Sequence, residues 1–297
     1  MRLCINFINK ISIILIMKEF SDKIAVITGA ASGIGRGIAE KFLREGMKIV
    51  LADIELDALS QAEKELKEIS PNVLTVLTDV SKIGDVKALA QKTIDHFGAV
   101  HILCNNAGVG FATKSSTTVW ENSLSEWKWI FGVNLWGVIH GIHVFIPIML
   151  KQNCQCYVIN TASMAGLITP TVGTGIYSIT KHALIALSEA LKLELARIGA
   201  KINVLALCPG FAFTKLTESD RNRPKELYHG TTTNPELEPI MKAYQQSIEN
   251  GISPNNVAEI LFHALKGEKF YIPTDHHRYL RRGVKNRMES VLQDLQK

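Results

Sequence analysis

The sequence predicts an α/β protein built on one doubly wound, seven-stranded parallel sheet in a single domain. Apolar strand-like runs alternate with helical patterns along most of the chain, and no linker or repeat interrupts them. The runs are apolar at nearly every position, which is typical of strands buried on both faces by covering helices. Because crossovers between parallel strands are right-handed, this alternation favours a doubly wound sheet.

The elements follow one another in a regular order. The predicted strands cover residues 23–28, 48–53, 72–79, 101–106, 156–161, 202–208 and 269–273. The predicted helices cover residues 33–45, 55–69, 83–96, 125–151, 177–198 and 254–266. Residues 211–252 have mixed polarity and three prolines. We interpret them as a mobile flap over a site rather than as a domain boundary.

The first 16 residues are predicted to lie outside the fold as an N-terminal extension. Their apolar run, "ISIILIM", has only seven residues, whereas a membrane span needs about 20. No small-residue cleavage site of a signal peptide follows it. Met17 is our hypothesis for the native start, because "MKEFSDKIAVITG" leads directly into the first strand.

Composition favours a protein of the cytoplasm without a nucleic-acid or membrane partner. The net charge of +5 is mild, and it does not by itself imply nucleic acid. The basic run 278–287 is interpreted as the solvated face of a terminal helix, with a phosphate or anionic-membrane contact left open. The cysteine count is odd and no C-x-x-C occurs, so we expect a reducing compartment and no disulfide framework.

No metal site is predicted. Cys154 and Cys156 form a "CQC" pair, but no second cluster accompanies them. His140 and His143 are three residues apart in an apolar run that contains no carboxylate. Both pairs therefore lack the further ligands that a zinc site requires.

A glycine turn, "TGAASGIG" at residues 28–35, follows the first strand and opens the next helix. Glycines here allow a tight turn and a close approach to a ligand, and the N–H groups at the helix start favour a diphosphate. The spacing G-x-x-x-G-x-G differs from the G-x-G-x-x-G fingerprint, so a plain turn remains open on this motif alone. The predicted dinucleotide contacts are Gly29, Ser32, Gly33, Ile34 and Gly35.

Asp53 strengthens the nucleotide prediction, since it ends the second strand 20 residues after Gly33. A carboxylate there accepts hydrogen bonds from the ribose hydroxyls of an adenosine and repels a 2′-phosphate. The alternative is an N-cap for helix 55–69. The next residue is Ile54 rather than an arginine, so NAD is favoured over NADP, although Arg36 in the first helix leaves NADP open.

Further polar residues end the third and fourth strands, in "TDV" (78–80) and "NNAG" (105–108). Ligands of such sheets bind beyond the carboxyl ends of the strands. We expect Asp79 to contact the adenine and Asn105 to tie neighbouring strands together. The predicted cofactor contacts at this edge are Asp79, Val80, Asn105, Ala107 and Gly108.

Ser163, Tyr177 and Lys181 form the candidate catalytic group. Ser163 follows the fifth strand, Tyr177 begins the next helix, and Lys181 lies four residues on, on the same helix face. A Y-x-x-x-K pattern alone usually reflects packing and a solvated lysine. Here it follows a predicted nucleotide site, where hydride transfer from an alcohol to nicotinamide leaves a proton that needs a base.

An electrostatic argument explains why a lysine would lie beside Tyr177. The pKa of free tyrosine is about 10. An ammonium about 4 Å away, at an effective dielectric near 20, contributes about 4 kcal/mol, or about three pKa units. We therefore expect Lys181 to lower the pKa of Tyr177 toward that of a general base. Lys181 also reaches the nicotinamide ribose, and Ser163 orients the substrate oxygen.

Together these motifs resemble the short-chain dehydrogenase/reductase family, a group of Rossmann-type enzymes, from Lys23 to about Thr214. The match includes "VNLWG" (133–137), "YSITK" (177–181) and "PGFAFT" (209–214) as well as the motifs above. The resemblance implies that Asn134 is a fourth catalytic residue, which supports Lys181 through a water. It places Pro209, Gly210, Ala212 and Thr214 at the nicotinamide end. It also implies homodimers or homotetramers that pair the helices around 125–151 and 177–198.

One departure is "KQNCQC" (151–156), where the family often has a glycine. Asn153 is expected to take the left-handed conformation there. The substrate walls should come from residues 109–118, 164–176 and 211–250. They look apolar, because they contain Phe111, Met164, Ile168, Phe211, Phe213 and Leu216.

The sequence thus predicts an NAD-dependent oxidoreductase acting on a small-molecule secondary alcohol or ketone, of medium size and apolar or aromatic. The alternative is a dinucleotide-binding redox sensor without turnover, although a sensor would not need the proton-transfer residues. A membrane-surface or nucleic-acid role through the basic run 278–287 would require affinity with a steep salt dependence.

Overall fold

The structure is a computed structural model that describes residues 17, 19–110, 118–228, 234–274 and 278–295. The predicted extension 1–16 and Phe111 lie outside the described residues. The strands are β1 (Ile24–Thr28), β2 (Lys48–Asp53), β3 (Val73–Leu77), β4 (Ile102–Asn105), β5 (Cys156–Thr161), β6 (Ile202–Cys208) and β7 (Tyr271–Pro273). They form one sheet in the order β3-β2-β1-β4-β5-β6-β7 with parallel pairing throughout. The predicted doubly wound sheet is confirmed.

Helices cover both faces of this sheet. They are α1 (Gly33–Arg44), α2 (Leu56–Lys67), α3 (Ile83–Phe97), α4 (Leu124–Phe131), α5 (Gly137–Gln152), α6 (Gly175–Arg197), α7 (Glu238–Glu249), α8 (Pro254–Leu265) and α9 (Arg278–Leu295). A π-helical segment, Gly132–Trp136, joins α4 to α5. The boundaries agree with the sequence predictions to within a few residues, as expected where apolar periodicity is strong.

The segment 211–252 is more regular than the sequence suggested. Its described residues include α7 and three short 3₁₀ helices, Lys215–Asn222, Lys225–Leu227 and Pro235–Leu237. Pro235 and Pro239 stand in the first two positions of their helices. A proline is favoured there because its fixed φ suits the helix and its missing N–H would have no partner. These prolines start helices instead of breaking them.

The two faces of the sheet bury separate apolar clusters. In β1 the side chains of Ala25 and Ile27 join the cluster beneath α1 and α8, whereas Ile24 and Val26 join the opposite cluster. This alternation follows from the two-residue period of a strand. Met17 is 3% exposed and belongs to the first cluster.

Tyr157 fastens the start of the described chain to the body. The backbone N–H of Met17 donates to the Tyr157 hydroxyl at 3.0 Å, and that hydroxyl donates to the carbonyl of Leu265 at 3.0 Å. Both bonds are buried, where an unpaired polar group is costly. The fold therefore includes Met17.

The continuous helical segment Leu124–Gln152 has 29 residues and a mean hydropathy of 1.6 in its most apolar window. Among the described residues it alone is long and apolar enough to cross a membrane, a criterion that the core helix of a soluble protein also meets. It ends at Asn153, whose φ of 48° and ψ of 29° are left-handed. The prediction for Asn153 is confirmed, and its short polar side chain tolerates this conformation.

Asn105 ties strands together behind the edge of the sheet. Its Nδ2 donates to Oδ1 of Asn160 at 2.8 Å, and Asn160 Nδ2 donates to Ser188 Oγ at 3.0 Å. Gly141 of α5 passes so close that a Cβ there would lie 2.1 Å from Asn105 Oδ1. Only glycine leaves room for this polar network between α5 and the sheet.

We expect Gly141→Ala to lower the free energy of unfolding by about 1–3 kcal/mol, the usual cost of overpacking a core. Gly84→Ala is the matched control, because Gly84 is exposed in α3 and a Cβ there meets nothing within 4 Å. The control should gain about 0.5–1 kcal/mol from the helix preference of alanine. Urea unfolding measures both, and equal effects would contradict this account of Gly141.

Candidate active site

A cavity opens beyond the carboxyl ends of the strands and gathers most of the predicted site residues. Those that line it are Gly29, Ser32, Gly33, Ile34, Asp53, Asp79, Val80, Ala107, Gly108, Ser163, Tyr177, Lys181, Pro209, Gly210, Ala212 and Thr214. They come from seven separate segments of the chain. The parallel sheet brings them together because all of its strands end at the same edge.

Three predicted residues stand behind the cavity wall: Gly35, Asn105 and Asn134 are not part of its lining. A Cβ on Gly35 would lie 2.1 Å from the carbonyl oxygen of Gly29, so this glycine allows α1 to pack on the turn. Asn105 faces Asn160, as described above, and the neighbouring Asn106 lines the cavity instead. The prediction that Asn105 contacts the cofactor is therefore replaced by a role in joining β4 to β5.

The glycine turn has the backbone that its sequence suggested. Gly29 and Gly33 have φ values of +63° and +54°, a region that favours glycine. Ser32 is the N-cap residue of α1 and makes no side-chain capping bond, and the first turn holds no acidic residue. The positive end of the helix dipole thus meets the cavity, an arrangement suited to a diphosphate.

Asp53 is held by backbone amides. Its Oδ2 accepts from the N–H of Ala31 at 2.9 Å and its Oδ1 from the N–H of Glu55 at 3.1 Å. Burial raises the pKa of this carboxyl, and the backbone hydrogen bonds oppose the rise. The N-cap residue of α2 is Glu55, so the capping alternative for Asp53 is wrong.

Arg36 does not line the cavity. Its guanidinium pairs with Glu40 at 3.4 Å and with Glu65 at 3.2 Å. It is therefore engaged on the outer surface between α1 and α2.

The predicted catalytic trio lies together and is buried. Ser163, Tyr177 and Lys181 are 8%, 6% and 4% exposed. The hydroxyls of Ser163 and Tyr177 are hydrogen-bonded to each other. Lys181 Nζ donates to the carbonyl of Thr161 at 2.9 Å and lies 5.4 Å from the centre of the Tyr177 ring. The strand end and the first turn of α6 thus hold an ammonium beside a phenol.

The electrostatic balance of this group differs from the sequence argument. Burial raises the pKa of Tyr177 to about 12, and the hydrogen bond from Ser163 opposes the rise. Burial lowers the pKa of Lys181 to about 8. The expected lowering of the Tyr177 pKa is wrong for this structure, because loss of solvent is the dominant effect on the phenol.

Asn134 lies in the π-helical segment and is fully buried. Its Oδ1 accepts from the N–H of Val109 at 2.8 Å, while its Nδ2 donates to the carbonyl of Val109 at 2.9 Å and to Thr180 Oγ1 at 3.3 Å. The side chain thus fixes the chain after β4 onto α6. A link from Asn134 to Lys181 stays a prediction. Such π-segments often occur at functional sites.

The predicted substrate wall is largely wrong in its members. Leu216 lines the cavity, but Met164 and Ile168 belong to a core cluster beneath α9. Phe213 is 60% exposed. Phe211 packs edge-on against Tyr244, with ring centroids 5.5 Å apart. The described apolar and aromatic lining near the trio comes instead from Val109, Trp129, Val133, Leu216, Tyr244 and Ile248.

Several lining residues escaped the sequence analysis. Tyr244 lies on α7 with Met241, which packs against Tyr177, and the spacing of Met241, Tyr244 and Ile248 is that of one helix face. That pattern could have revealed α7. Glu55, Lys215, Arg221 and Asn222 also line the cavity. Glu55 meets the other three only through the fold, because they are more than 150 residues apart in the chain, and such a contact leaves no local pattern in the sequence.

The metal-ligand candidates are elsewhere. Cys154 and Cys156, with sulfur atoms 3.8 Å apart, lie at the opposite end of β5 from the cavity. His140 Nδ1 is hydrogen-bonded to the carbonyl of Val80 at 2.8 Å. Within the described part of the chain, no three His, Cys, Asp or Glu side chains are placed to hold a metal ion.

Comparison with known proteins agrees with this geometry. The family model for short chain dehydrogenase matches residues 23–225. The chain is 33% identical to a "CLA biosynthesis dehydrogenase/reductase" of Lactiplantibacillus plantarum, over 87% of this chain and 90% of that protein. It is also 33% identical to a diacetyl reductase [(S)-acetoin forming] of Staphylococcus epidermidis, over 84% and 94%.

A solved structure supports the same assignment. A short-chain dehydrogenase/reductase from Burkholderia phymatum, in complex with NAD, superposes with a TM-score of 0.88. It is 40% identical, and the match covers 95% of this chain and 97% of that one. By its motifs, its fold and these relatives, the chain belongs to the short-chain dehydrogenase/reductase family.

Proposed function

We propose that the protein is an NAD-dependent oxidoreductase that moves a hydride between the nicotinamide and a secondary alcohol or ketone. The observation that carries the proposal is the Ser163–Tyr177–Lys181 group at one end of the cavity that begins, at its other end, with the glycine turn and Asp53. The Burkholderia phymatum relative binds NAD. The diacetyl reductase relative supports a carbonyl substrate.

The residues present fit a nicotinamide dinucleotide. The N-terminus of α1 suits the diphosphate, and Asp53 suits the adenosine ribose hydroxyls. Gly33 has a φ of +54°, and a Cβ there would lie 3.1 Å from the Thr214 side chain, so both backbone and space favour glycine at this position. Asp53 and the engagement of Arg36 by Glu40 and Glu65 favour NAD over NADP. When bound, the group would supply or accept the hydride.

The trio would handle the proton. Ser163 and Tyr177 place two hydroxyls where a substrate oxygen can accept a hydrogen bond from each. With a pKa of about 12, Tyr177 keeps its proton at neutral pH and can give it to the oxygen of a ketone as the hydride arrives. Lys181 then stabilises the phenolate that remains. In alcohol oxidation the same proton returns to Tyr177.

The proposed substrate is a medium-sized apolar or aromatic ketone, or the matching alcohol. The cavity wall near the trio contains Val109, Trp129, Val133 and Leu216, which favour apolar groups. Tyr244 adds a phenol beside the Tyr177 and Met241 cluster. A panel of secondary alcohols and ketones tests the class, and turnover restricted to small polyols would contradict it.

We also propose a homodimer or homotetramer of the cytoplasm. Four large apolar side chains are exposed on α5, α6 and the π-segment before α5: Trp136 at 53%, Leu150 at 38%, Ile179 at 39% and Leu193 at 56%. Such exposure supports a helix-pairing interface. The described cysteines, Cys104, Cys154, Cys156 and Cys208, are free thiols, which supports a reducing compartment.

We expect Tyr177→Phe to lower kcat by about 10²- to 10⁴-fold, the usual contribution of a positioned acid–base group. NADH affinity should stay near that of the wild type, because the ring remains. Absorbance of reduced nicotinamide measures turnover, and Tyr279→Phe is the control, since Tyr279 is 72% exposed on α9. Turnover that survives in Tyr177→Phe would remove its assigned role; NADH binding without wild-type turnover would favour the redox sensor.

The rate of ketone reduction should depend on the charge of Lys181. Because burial lowers the pKa of Lys181 to about 8, kcat/KM should be level below that pH and fall as the pH rises through it. Tyr177, at about 12, does not titrate in this range. A deuterium isotope effect with labelled NADH verifies that hydride transfer limits the rate. A profile that stays flat up to pH 10 would contradict the role of the ammonium.

Light scattering should give the mass of a dimer or tetramer. Leu193→Glu, on the exposed face of α6, should shift the protein toward the monomer, because a buried charge opposes association. Leu77→Glu is the control, since Leu77 is 54% exposed at the edge of the sheet, away from both helices. A monomeric wild type at micromolar concentration would refute the proposed assembly.

A further inference from the structure

The carboxylate of Glu55 lies among three side chains that are suited to binding an anion: Lys215, Arg221 and Asn222. Arg221 grips it with two hydrogen bonds, Nη2 to Oε1 at 2.7 Å and Nε to Oε2 at 3.2 Å. Asn222 Nδ2 donates to the same Oε1 at 2.8 Å, and the charge of Lys215 also stabilises the ionised form of Glu55. A guanidinium fork, an amide and an ammonium are the donors that bind phosphate groups.

Arg221 is held in place independently of Glu55. Its Nη1 donates to the carbonyls of Lys215 at 3.1 Å and Glu218 at 2.9 Å. Both carbonyls belong to the 3₁₀ helix Lys215–Asn222. The guanidinium would therefore keep its position after the loss of the Glu55 charge, and it would still present two donor atoms to the cavity.

This anion site borders the ribose end of the cavity. Glu55, Lys215, Arg221 and Asn222 line the same cavity as Asp53. The backbone N–H of Glu55 donates to Asp53 Oδ1 at 3.1 Å. A 2′-phosphate on a ribose bound at Asp53 would meet two carboxylates there, Asp53 and Glu55, while the positive charge of Arg221 is already neutralised.

Glu55 is well suited to remain ionised in this place. Burial opposes its ionisation, but the hydrogen bonds from Arg221 and Asn222 outweigh burial and lower the pKa of Glu55. Its side chain is 28% exposed and that of Arg221 is 32% exposed. Both side chains are thus exposed enough for a ligand to replace Glu55 as the partner of Arg221. The guanidinium is also held in a fixed position, which favours binding.

We propose that Lys215, Arg221 and Asn222 form a latent binding site for the 2′-phosphate of NADP, which the carboxylate of Glu55 fills. Glu55 is then a second determinant of cofactor choice besides Asp53. The inference rests on the proposed dinucleotide function. A purely structural role, in which Arg221 and Glu55 only fasten the segment 215–222 to α2, makes a different prediction for NADPH.

Equilibrium binding tests the inference without a substrate. NADH and NADPH are titrated by fluorescence into the wild type, Glu55→Gln and the double variant Glu55→Gln/Arg221→Ala. Glu55→Gln should bind NADPH about tenfold or more tightly than the wild type, since a charge-assisted phosphate bond replaces an internal one. Its NADH affinity should change by less than about threefold, because NADH has no 2′-phosphate. The double variant should lose the gain.

The matched control is Glu63→Gln. Glu63 lies on the same helix and pairs with Lys67 at 2.6 Å, but it does not line the cavity. It should leave both affinities unchanged. Adenosine 2′-monophosphate provides a second readout, and it should displace NADH from Glu55→Gln more effectively than from the wild type.

The outcomes separate this inference from the proposed function. If the wild type binds NADH and a folded Glu55→Gln gains no affinity for NADPH, the latent site is wrong and the proposed function stands. A gain that persists in the double variant likewise overturns the site, since Arg221 would not be its donor. A wild type that binds neither dinucleotide overturns the proposed function and this inference with it.

Discussion

A line of hydrogen bonds along the carboxyl edge of the sheet joins the glycine turn to the buried lysine. Asn106 donates from its backbone to Thr28 Oγ1 at 2.9 Å and from its Nδ2 to the carbonyl of Thr28 at 3.0 Å. Thr161 Oγ1 donates to Asn106 Oδ1 at 3.2 Å, and the Thr161 carbonyl accepts from Lys181 at 2.9 Å. The parallel alignment of β1, β4 and β5 is the constraint behind this line, because it makes the three strands end together. Both halves of the site depend on it.

The same burial that orders this line decides the chemistry of the trio. Desolvation moves the pKa of Tyr177 up and that of Lys181 down, so each change favours the uncharged form. With a pKa of about 12, the Tyr177 hydroxyl keeps its proton at neutral pH. At neutral pH, Tyr177 is therefore a neutral phenol beside the ammonium of Lys181 rather than a phenolate.

The sequence predicted what depends on local pattern. Strand alternation, the glycine turn, Asp53, the left-handed Asn153 and the trio all follow from spacing and residue type, and the structure places them as expected. The sequence prediction failed where contacts between distant segments decide the position of a side chain. Asn105 turns to Asn160 because Gly141 leaves room, and Met164 is taken into the core beneath α9. The pKa of Tyr177 was misjudged because a pairwise charge argument omits the loss of solvent.

The segment 215–223 links the two ends of the cavity. Arg221 reaches Glu55 at the ribose end, whereas Leu216, five residues earlier, packs with Tyr177 at the catalytic end. Ser219 Oγ accepts from the N–H of Gly110 at 3.0 Å. Arg223 is anchored to Glu126 and Asp220 and stacks on Trp129 at 4.2 Å. Because these anchors lie within the eight residues 216–223, movement of the segment at one end of the cavity would disturb its contacts at the other. The residues that contact Glu55 and those that pack near Tyr177 thus belong to one structural unit.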